Sequence, residues 1–380
     1  MFALAMGGFG IGTTEFVAMG LLPQIAGGLG VSEPAAGRIV TAYAMGVVVG
    51  APLIAALTAR IPRRALLVAL MVAFTVGNAA AIVAPNYGGL MVARFVAGLP
   101  HGAYFGVASL VAAHLAEPGK RAKAVSIVIS GLSVANVAGV PVATWIGQDL
   151  GWRSAFALVA VVGVLTVVAI AAWVPPLHTM STTDPRTELG ALRRGQVWLT
   201  LAIAMVGFAG MFAVYTYVVS TLTDVAGMPM SLIPLALLVY GVGMVVGVFL
   251  GGVVADRVPT PGLFAVLGAV AAFLTMFAVA AHNPYTAVAV LFLVAASGAA
   301  LVPGLQTRLM DVAADAQTLA AALNHSAFNV ANGFGAWIGG VVIAAGFGYT
   351  APALVGAGLA VLGLVVLTIS VMAAAVTARR

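Results

Sequence analysis

The sequence contains no cysteine, which excludes a disulfide framework and any thiolate metal site. It is also poor in charge. Only 10 of its 380 residues are Asp or Glu, and charged residues of both signs make up 7% of the chain. A soluble domain ordinarily carries about 25%, so there is too little charge here to coat a globule in water. The chain has no HExxH pattern, no acid cluster and no P-loop. Hydrolytic and metal chemistry, direct use of ATP and any resident metal or cofactor are therefore not expected. The formal net charge of +6 does not point to nucleic acid, because the cations lie in short loops between apolar runs and not on one basic face.

What fills the space is apolar residue, 63% of the chain. With so little polar surface the solvent has to be lipid, and a helix needs roughly 20 apolar residues to cross it. Runs of that length are predicted at about 2–25, 36–58, 65–84, 88–112, 122–147 and 153–174, and again at about 198–222, 231–255, 262–281, 285–305, 319–343 and 352–375. The first run, Phe2 to Ile25, is too long for a signal-peptide core and lacks a basic leader and a small-residue cleavage site, so it reads as a spanning helix. One long polar segment, Pro175 to Gln196, separates the two sets. The expected organisation is an all-α membrane protein: a six-helix bundle over 1–174, a cytoplasmic linker over 175–197 and a second six-helix bundle over 198–380.

Lys and Arg set the expected orientation. With the N-terminus in the cytoplasm, the inner loops and tail hold Arg60, Arg63, Arg64, Lys120, Arg121, Lys123, Arg186, Arg193, Arg194, Arg257, Arg308, Arg379 and Arg380, thirteen of the sixteen cations. Inner loops are the ones that retain such residues. The expected location is the bacterial inner membrane, with both termini cytoplasmic.

The halves repeat. Tyr43–Pro62 and Tyr240–Pro259, offset by 197, share eight of twenty residues, among them Tyr43/Tyr240, Gly46/Gly243, Gly50/Gly247, Arg60/Arg257 and Pro62/Pro259. At an offset of 196, Ser130, Val134, Ala135, Asn136 and Gly139 match Ser326, Val330, Ala331, Asn332 and Gly335. A parallel repeat of six helices is the symmetry of one large transporter class, in which substrate binds near the midplane between the halves.

Nine of the ten acids lie in predicted loops or at helix ends. The tenth, Glu15, falls in the middle of the first span. A carboxylate at that depth has to face a partner or a wet cavity, or hold a proton. It is either a structural acid or a group that takes and releases a proton. Arg94 is the one cation well inside a span. A rise of 1.5 Å per residue sets Arg94 about 9 Å and Glu15 about 12 Å below the outer face, so the two are expected to interact, directly or through water. The alternative has Arg94 reaching back to the outer interface. His101 follows Pro100 near the midplane, as a titrating group or as a packing residue. Asn136 and Asn332 either bind substrate or join helices. Asn324, His325 and Asn329 make the start of the eleventh span unusually polar, as if one face lined a cavity. Gly131, Gly139, Pro141 and Gly147 form a small-residue seam on the fifth span. Phe208, Met211, Tyr215 and Tyr217, with Met6 and Met19, either line an adaptable apolar pocket or face lipid.

These residues resemble the major facilitator superfamily, and within it the twelve-helix drug:proton antiporters, over essentially the whole chain. That family's loop after the second helix reads G-x-L-A-D-R-x-G-R-R. Leu57, Arg60, Arg63 and Arg64 match it, while Ala55, Ala59 and Pro62 replace Gly, Asp and Gly. The second copy keeps Gly252, Asp256 and Arg257. The resemblance implies that Arg60, Arg63, Arg64, Asp256 and Arg257 belong to gating loops. Arg94 and Gly98 match the R-x-x-x-G pattern that the family links to proton transfer, and Gly139, Pro141 and Gly147 loosely match its antiporter signature. Gly12-Thr-Thr-Glu15-Phe16, Gly20-Leu-Leu-Pro23 and the tract Asn324 to Gly335 look like the branch of arabinose-type sugar efflux, purine efflux and chloramphenicol-resistance exporters. The implied protein is a proton-coupled exporter of small organic molecules, working as a monomer in the lipid bilayer. Glu15 and Arg94 would couple protons, and His101, Asn136, Phe208, Tyr215, Asn324, Asn329 and Asn332 are the candidate substrate contacts. The open alternatives are a sugar or purine nucleoside exporter and a proton-coupled importer.

Overall fold

The computed structural model describes residues 1–58, 61–117, 121–176, 193–313 and 317–378, with the side chains of 52, 55, 56, 121–123, 317–322 and 376–378 set aside. Arg60, Lys120, Arg186, Arg379 and Arg380, and most of the expected linker, therefore lie outside the described residues, as do the side chains of Arg121 and Lys123. Among the described residues, twelve helices are long and apolar enough to cross a membrane.

The first six are α1 (Phe2–Gly20), α2 (Glu33–Leu57), α3 (Arg63–Ile82), α4 (Tyr87–Leu115), α5 (Arg121–Val134, continuing through a π turn at Ala135–Gly139 into Val140–Leu150) and α6 (Trp152–Trp173). The second six are α7 (Gly195–Thr216), α8 (Ile233–Arg257), α9 (Pro259–Ala280), α10 (Pro284–Ala313), α11 (Gln317–Val342) and α12 (Ala351–Ala378). Each falls on one of the twelve predicted runs. The chain divides into two compact units, Met1–Thr182 with Ser231–Leu238, and Thr183–Met230 with Val239–Arg380.

Local sequence explains how the helices begin and bend. Ser32 caps α2 through a bond from Ala35 N, and Asn86 caps α4 through a bond from Gly89 N, each satisfying an N–H that the first turn leaves open. α1 ends at Leu21 (φ −119°, ψ 17°) and α7 ends at Tyr217 (φ −111°, ψ 17°), each followed by a further helical piece. The two breaks are 196 residues apart, one of the two offsets in the sequence repeat. In α5 the π turn lies immediately before Pro141, which has no N–H to give to Val137. Widening the turn accommodates the missing bond and the ring.

Glycine decides which helices touch. A Cβ on Gly46 or Gly50 would strike the Phe95 or Leu99 carbonyl of α4, and one on Gly98 would strike the Tyr43 carbonyl of α2. In the second unit Gly243 and Gly247 of α8 stand in the same way against Phe292 and Ala296 of α10. Gly46 and Gly50, and the residues they meet, are each 197 residues from their counterparts, while Gly98 is matched by Ala295. The repeat thus encodes one backbone-to-backbone crossing, built twice. Apolar surface adds little between helices in lipid, so such close approach carries much of the association. The small-residue seam on α5 serves the same end, with Gly131, Gly139 and Gly147 all meeting α1 or its continuation, at Ala5, Thr13 and Leu21.

Gly50→Ala is expected to destabilise the protein by about 1–3 kcal/mol, because the added carbon meets Leu99 backbone that cannot rotate away. Gly268→Ala, in α9, adds a carbon to open space and should leave stability unchanged or raise it. Thermal unfolding of both variants in detergent checks this; equal losses would remove the crossing from the account.

Candidate functional site

α1, α2, α3 and α4 bring a polar cluster into the apolar interior of the first unit. Arg94 is fully buried on α4. Its two terminal guanidinium nitrogens donate to Thr14 of α1, one to Oγ1 and one to the backbone carbonyl, both at 2.9 Å. The Thr14 hydroxyl donates in turn to Asn78 Oδ1 on α3, and Asn78 Nδ2 returns to the Phe74 carbonyl at 2.9 Å. Aromatic faces close the remaining sides. The Tyr43 ring centroid of α2 lies 4.4 Å from the guanidinium carbon, and that of Phe156 of α6 lies 5.4 Å away. A cation over a ring face at such range is attracted by the ring quadrupole, more strongly when desolvated.

Glu15 follows Thr14 in the chain and is the one buried carboxylate among the described residues, 6% exposed. It lies within electrostatic reach of both Arg94 and Tyr43. Arg94 therefore stands at the level of the Thr14–Glu15 step and does not turn back to the interface. His101 is buried one helical stretch further along α4. Its Nδ1 is 3.0 Å from the Tyr43 hydroxyl, and its ring meets Phe105 at a centroid distance of 5.4 Å. The structure thus gathers Glu15, Arg94 and His101 around one residue absent from the candidate sites, Tyr43. The signal was its identity with Tyr240 in the repeat.

The second unit differs at the equivalent places. The offset of 197 carries Arg94 to Leu291 and His101 to Gly298. Tyr240 stacks on Tyr215 at 4.0 Å and 20°, and Met211 fills the space over Gly298. Phe208 packs against Phe212 at 5.3 Å and Phe328 at 4.7 Å. Phe208, Met211, Tyr215, Tyr217 and Met19 are buried, not spread over the lipid-facing surface, and Met6 is half-buried.

On α11, Asn324, Asn329 and Asn332 are buried. Asn324 Nδ2 donates to Gln306 Oε1 of α10, Asn329 Nδ2 donates to the His325 carbonyl at 3.0 Å, and the amide oxygens of both lie buried without a hydrogen-bond partner. In the first unit Asn136 repeats that arrangement on α5, with Nδ2 donating to the Leu132 carbonyl at 3.0 Å and Oδ1 unmatched. Of the expected gating residues, Arg63 and Arg64 begin α3, Arg64 donates to the Ala171 carbonyl, and Asp256 and Arg257 lie exposed at the end of α8. Sequence reading passed over a further network in the second unit: Arg308 donates to Ser370 at 2.8 Å, and Ser370 donates to Gln196 at 2.6 Å.

Among the described residues, twelve helices of spanning length in two repeated units, with a buried charge cluster in the first, define a polytopic membrane transporter. The family description Major Facilitator Superfamily matches residues 4–281 and 221–378, and the chain belongs to that superfamily. It is 40% identical over 370 residues to the inner membrane transport protein YdhP of Escherichia coli (strain K12), covering 97% of this chain and 95% of that one. It is 34% identical to a chloramphenicol resistance protein of Streptomyces lividans, covering 92% and 89%. The crystal structure of a D-xylose-proton symporter has the same fold, with a TM-score of 0.76 at 16% identity and 96% of each chain covered.

Thr14→Val should lower stability by about 1–3 kcal/mol, since it leaves a buried guanidinium N–H and the Asn78 carbonyl unmatched together. Thr200→Val removes a hydroxyl bonded only to its own helix at Gln196 and should cost less than half as much. Comparison of their unfolding midpoints in detergent is the check, and equal costs would contradict the role given to Thr14.

Proposed function

We propose that this transporter is a proton-coupled exporter of small, mostly uncharged organic molecules such as chloramphenicol-like drugs, with Glu15 as the proton carrier. The carrying observation is the burial of Glu15 beside Arg94 in a unit whose other described acids lie near helix ends or at the surface. Burial favours the neutral acid and the guanidinium favours the carboxylate. A change in water access to the carboxyl would shift that balance. Substrate and proton would compete for binding, and competition alone yields exchange. The likeness to the chloramphenicol resistance protein supports the export direction and the drug-like substrate. The buried Phe208, Tyr215 and Tyr240 would supply apolar and stacking surface. Arg63, Arg64, Asp256 and Arg257, with Arg60, would gate the inner side. The distribution of Lys and Arg supports cytoplasmic termini and a bacterial inner-membrane location, and a monomer contains every group invoked.

A second reading, export of a sugar or purine nucleoside, draws on the unmatched amide oxygens of Asn324 and Asn329. Buried acceptors of this kind suit a substrate rich in hydroxyl or N–H donors.

The test is proton movement in proteoliposomes under an imposed pH gradient, with chloramphenicol, a pentose and a purine nucleoside added in turn. Proton release from the acidic side with chloramphenicol, lost in Glu15→Gln, is the expected result. A response confined to the pentose or the nucleoside would select the second reading. Proton-driven flux that survives Glu15→Gln would remove Glu15 from the mechanism.

A further inference from the structure

Tyr43 touches two groups that would otherwise be separate. Its ring face lies on the Arg94 guanidinium and its hydroxyl meets His101 Nδ1 at 3.0 Å. Tyr43 and His101 are 1% and 2% exposed, so bulk water does not compete for that bond. The hydrogen bond anchors the phenol oxygen on α4, the helix that also carries the guanidinium.

The polarity of this bond depends on the imidazole. With neutral His101 carrying its hydrogen on Nε2, the Tyr43 O–H donates to Nδ1. When a proton adds to Nδ1, that nitrogen becomes the donor and the phenol oxygen has to accept. The phenol hydrogen then turns away from the imidazole, and the dipole that Glu15 and Arg94 feel reverses. Histidine is the side chain that ionises near neutral pH without special help. The titratable and charged groups gathered at Tyr43 are Glu15 from α1 and Arg94 and His101 from α4, while Tyr104 packs on Phe105, the ring neighbour of His101. Tyr104 is occupied by the Leu4 carbonyl at 2.8 Å. The second unit keeps Tyr240 at the equivalent position but has Gly298 in place of His101 and Leu291 in place of Arg94. The phenol thus belongs to the shared frame, whereas the imidazole and guanidinium it joins occur together only in the first unit.

We propose that His101 is a second proton-binding group of this site and that the Tyr43 hydroxyl couples its ionisation to the Glu15–Arg94 pair. The inference extends the proposal that Glu15 carries the proton, and makes the site's charge state a property of three groups and not of one carboxyl.

The experiment reads His101 directly. Protein labelled with 15N-histidine in detergent is titrated from about pH 5 to 9 by NMR, and the His101 signal is assigned by its loss in His101→Asn. Removing the negative charge with Glu15→Gln should lower the His101 midpoint by about half a unit or more. In a Tyr43→Phe background, where the ring stays on Arg94 but the hydroxyl is gone, the same substitution should shift it by less than half as much. A midpoint indifferent to Glu15, or a His101 that does not ionise across this range, would overturn the proposal. An effect of Glu15 undiminished by Tyr43→Phe would overturn the role of the hydroxyl. Because no transported compound is involved, failure here is distinct from failure of Glu15 to couple flux, which proteoliposomes report separately.

Discussion

A guanidinium sealed inside a helical bundle must be satisfied by protein alone, and the first unit is arranged around that requirement at Arg94. Placing a charge at the centre of a membrane helix costs roughly 2.5–3.5 kcal/mol even where the chain can adapt. Here α1 supplies a carbonyl and a hydroxyl from one residue, α3 supplies the asparagine that orients the hydroxyl, and α2 and α6 supply ring faces. Four helices are thereby held to a fifth by one side chain. The glycine crossing of α2 on α4 makes this possible, because Tyr43 reaches the guanidinium only if the two backbones are nearly in contact at Gly46, Gly50 and Gly98.

The repeat separates what is architectural from what is chemical. Gly46 and Gly50 on Phe95 and Leu99, and Gly243 and Gly247 on Phe292 and Ala296, are the same contacts at a constant offset. The residues carrying charge or hydrogen-bonding power within that frame have diverged. Where the first unit has Arg94 and His101, the second has Leu291 and Gly298, and the freed space is taken by Met211 and a tyrosine stack. At this crossing the first unit therefore holds ionisable groups against aromatic faces, and the second holds aromatic and thioether surface, within packing that the two share.

Much of this was legible in the sequence. Span number and position followed from hydropathy alone, since a lipid solvent imposes a length and forbids charge. Glu15 and Arg94 stood out for the same reason, and helical rise was enough to put them at one depth. Hydropathy could not say which atom of α1 Arg94 would bind, because Thr14 and Glu15 are neighbours and both present oxygen. Nor could it single out Tyr43. A tyrosine in an apolar run is ordinary, and its importance comes from packing between helices distant in sequence. The π turn at Ala135–Gly139 was foreshadowed by Pro141 but read only as a kink, since a proline states that a bond is missing without stating how the helix absorbs the loss. The Arg308–Ser370–Gln196 network joins residues 62 and 174 apart, at helix ends where Arg and Gln are unremarkable.

The placement of Arg94's hydrogen bonds has a consequence for any cycle in which Glu15 changes protonation. A buried cation held only by a titrating carboxylate would be stranded each time that carboxylate took a proton, at a cost of several kcal/mol. Bonds to the Thr14 hydroxyl and carbonyl do not titrate, and neither do the faces of Tyr43 and Phe156. These contacts would hold Arg94 in place whether or not Glu15 carries a proton. Protonation of Glu15 would then leave the Thr14 and aromatic contacts of Arg94 standing. A cation held in this way suits the proton-carrying role proposed for Glu15, because the local structure would survive each change of charge.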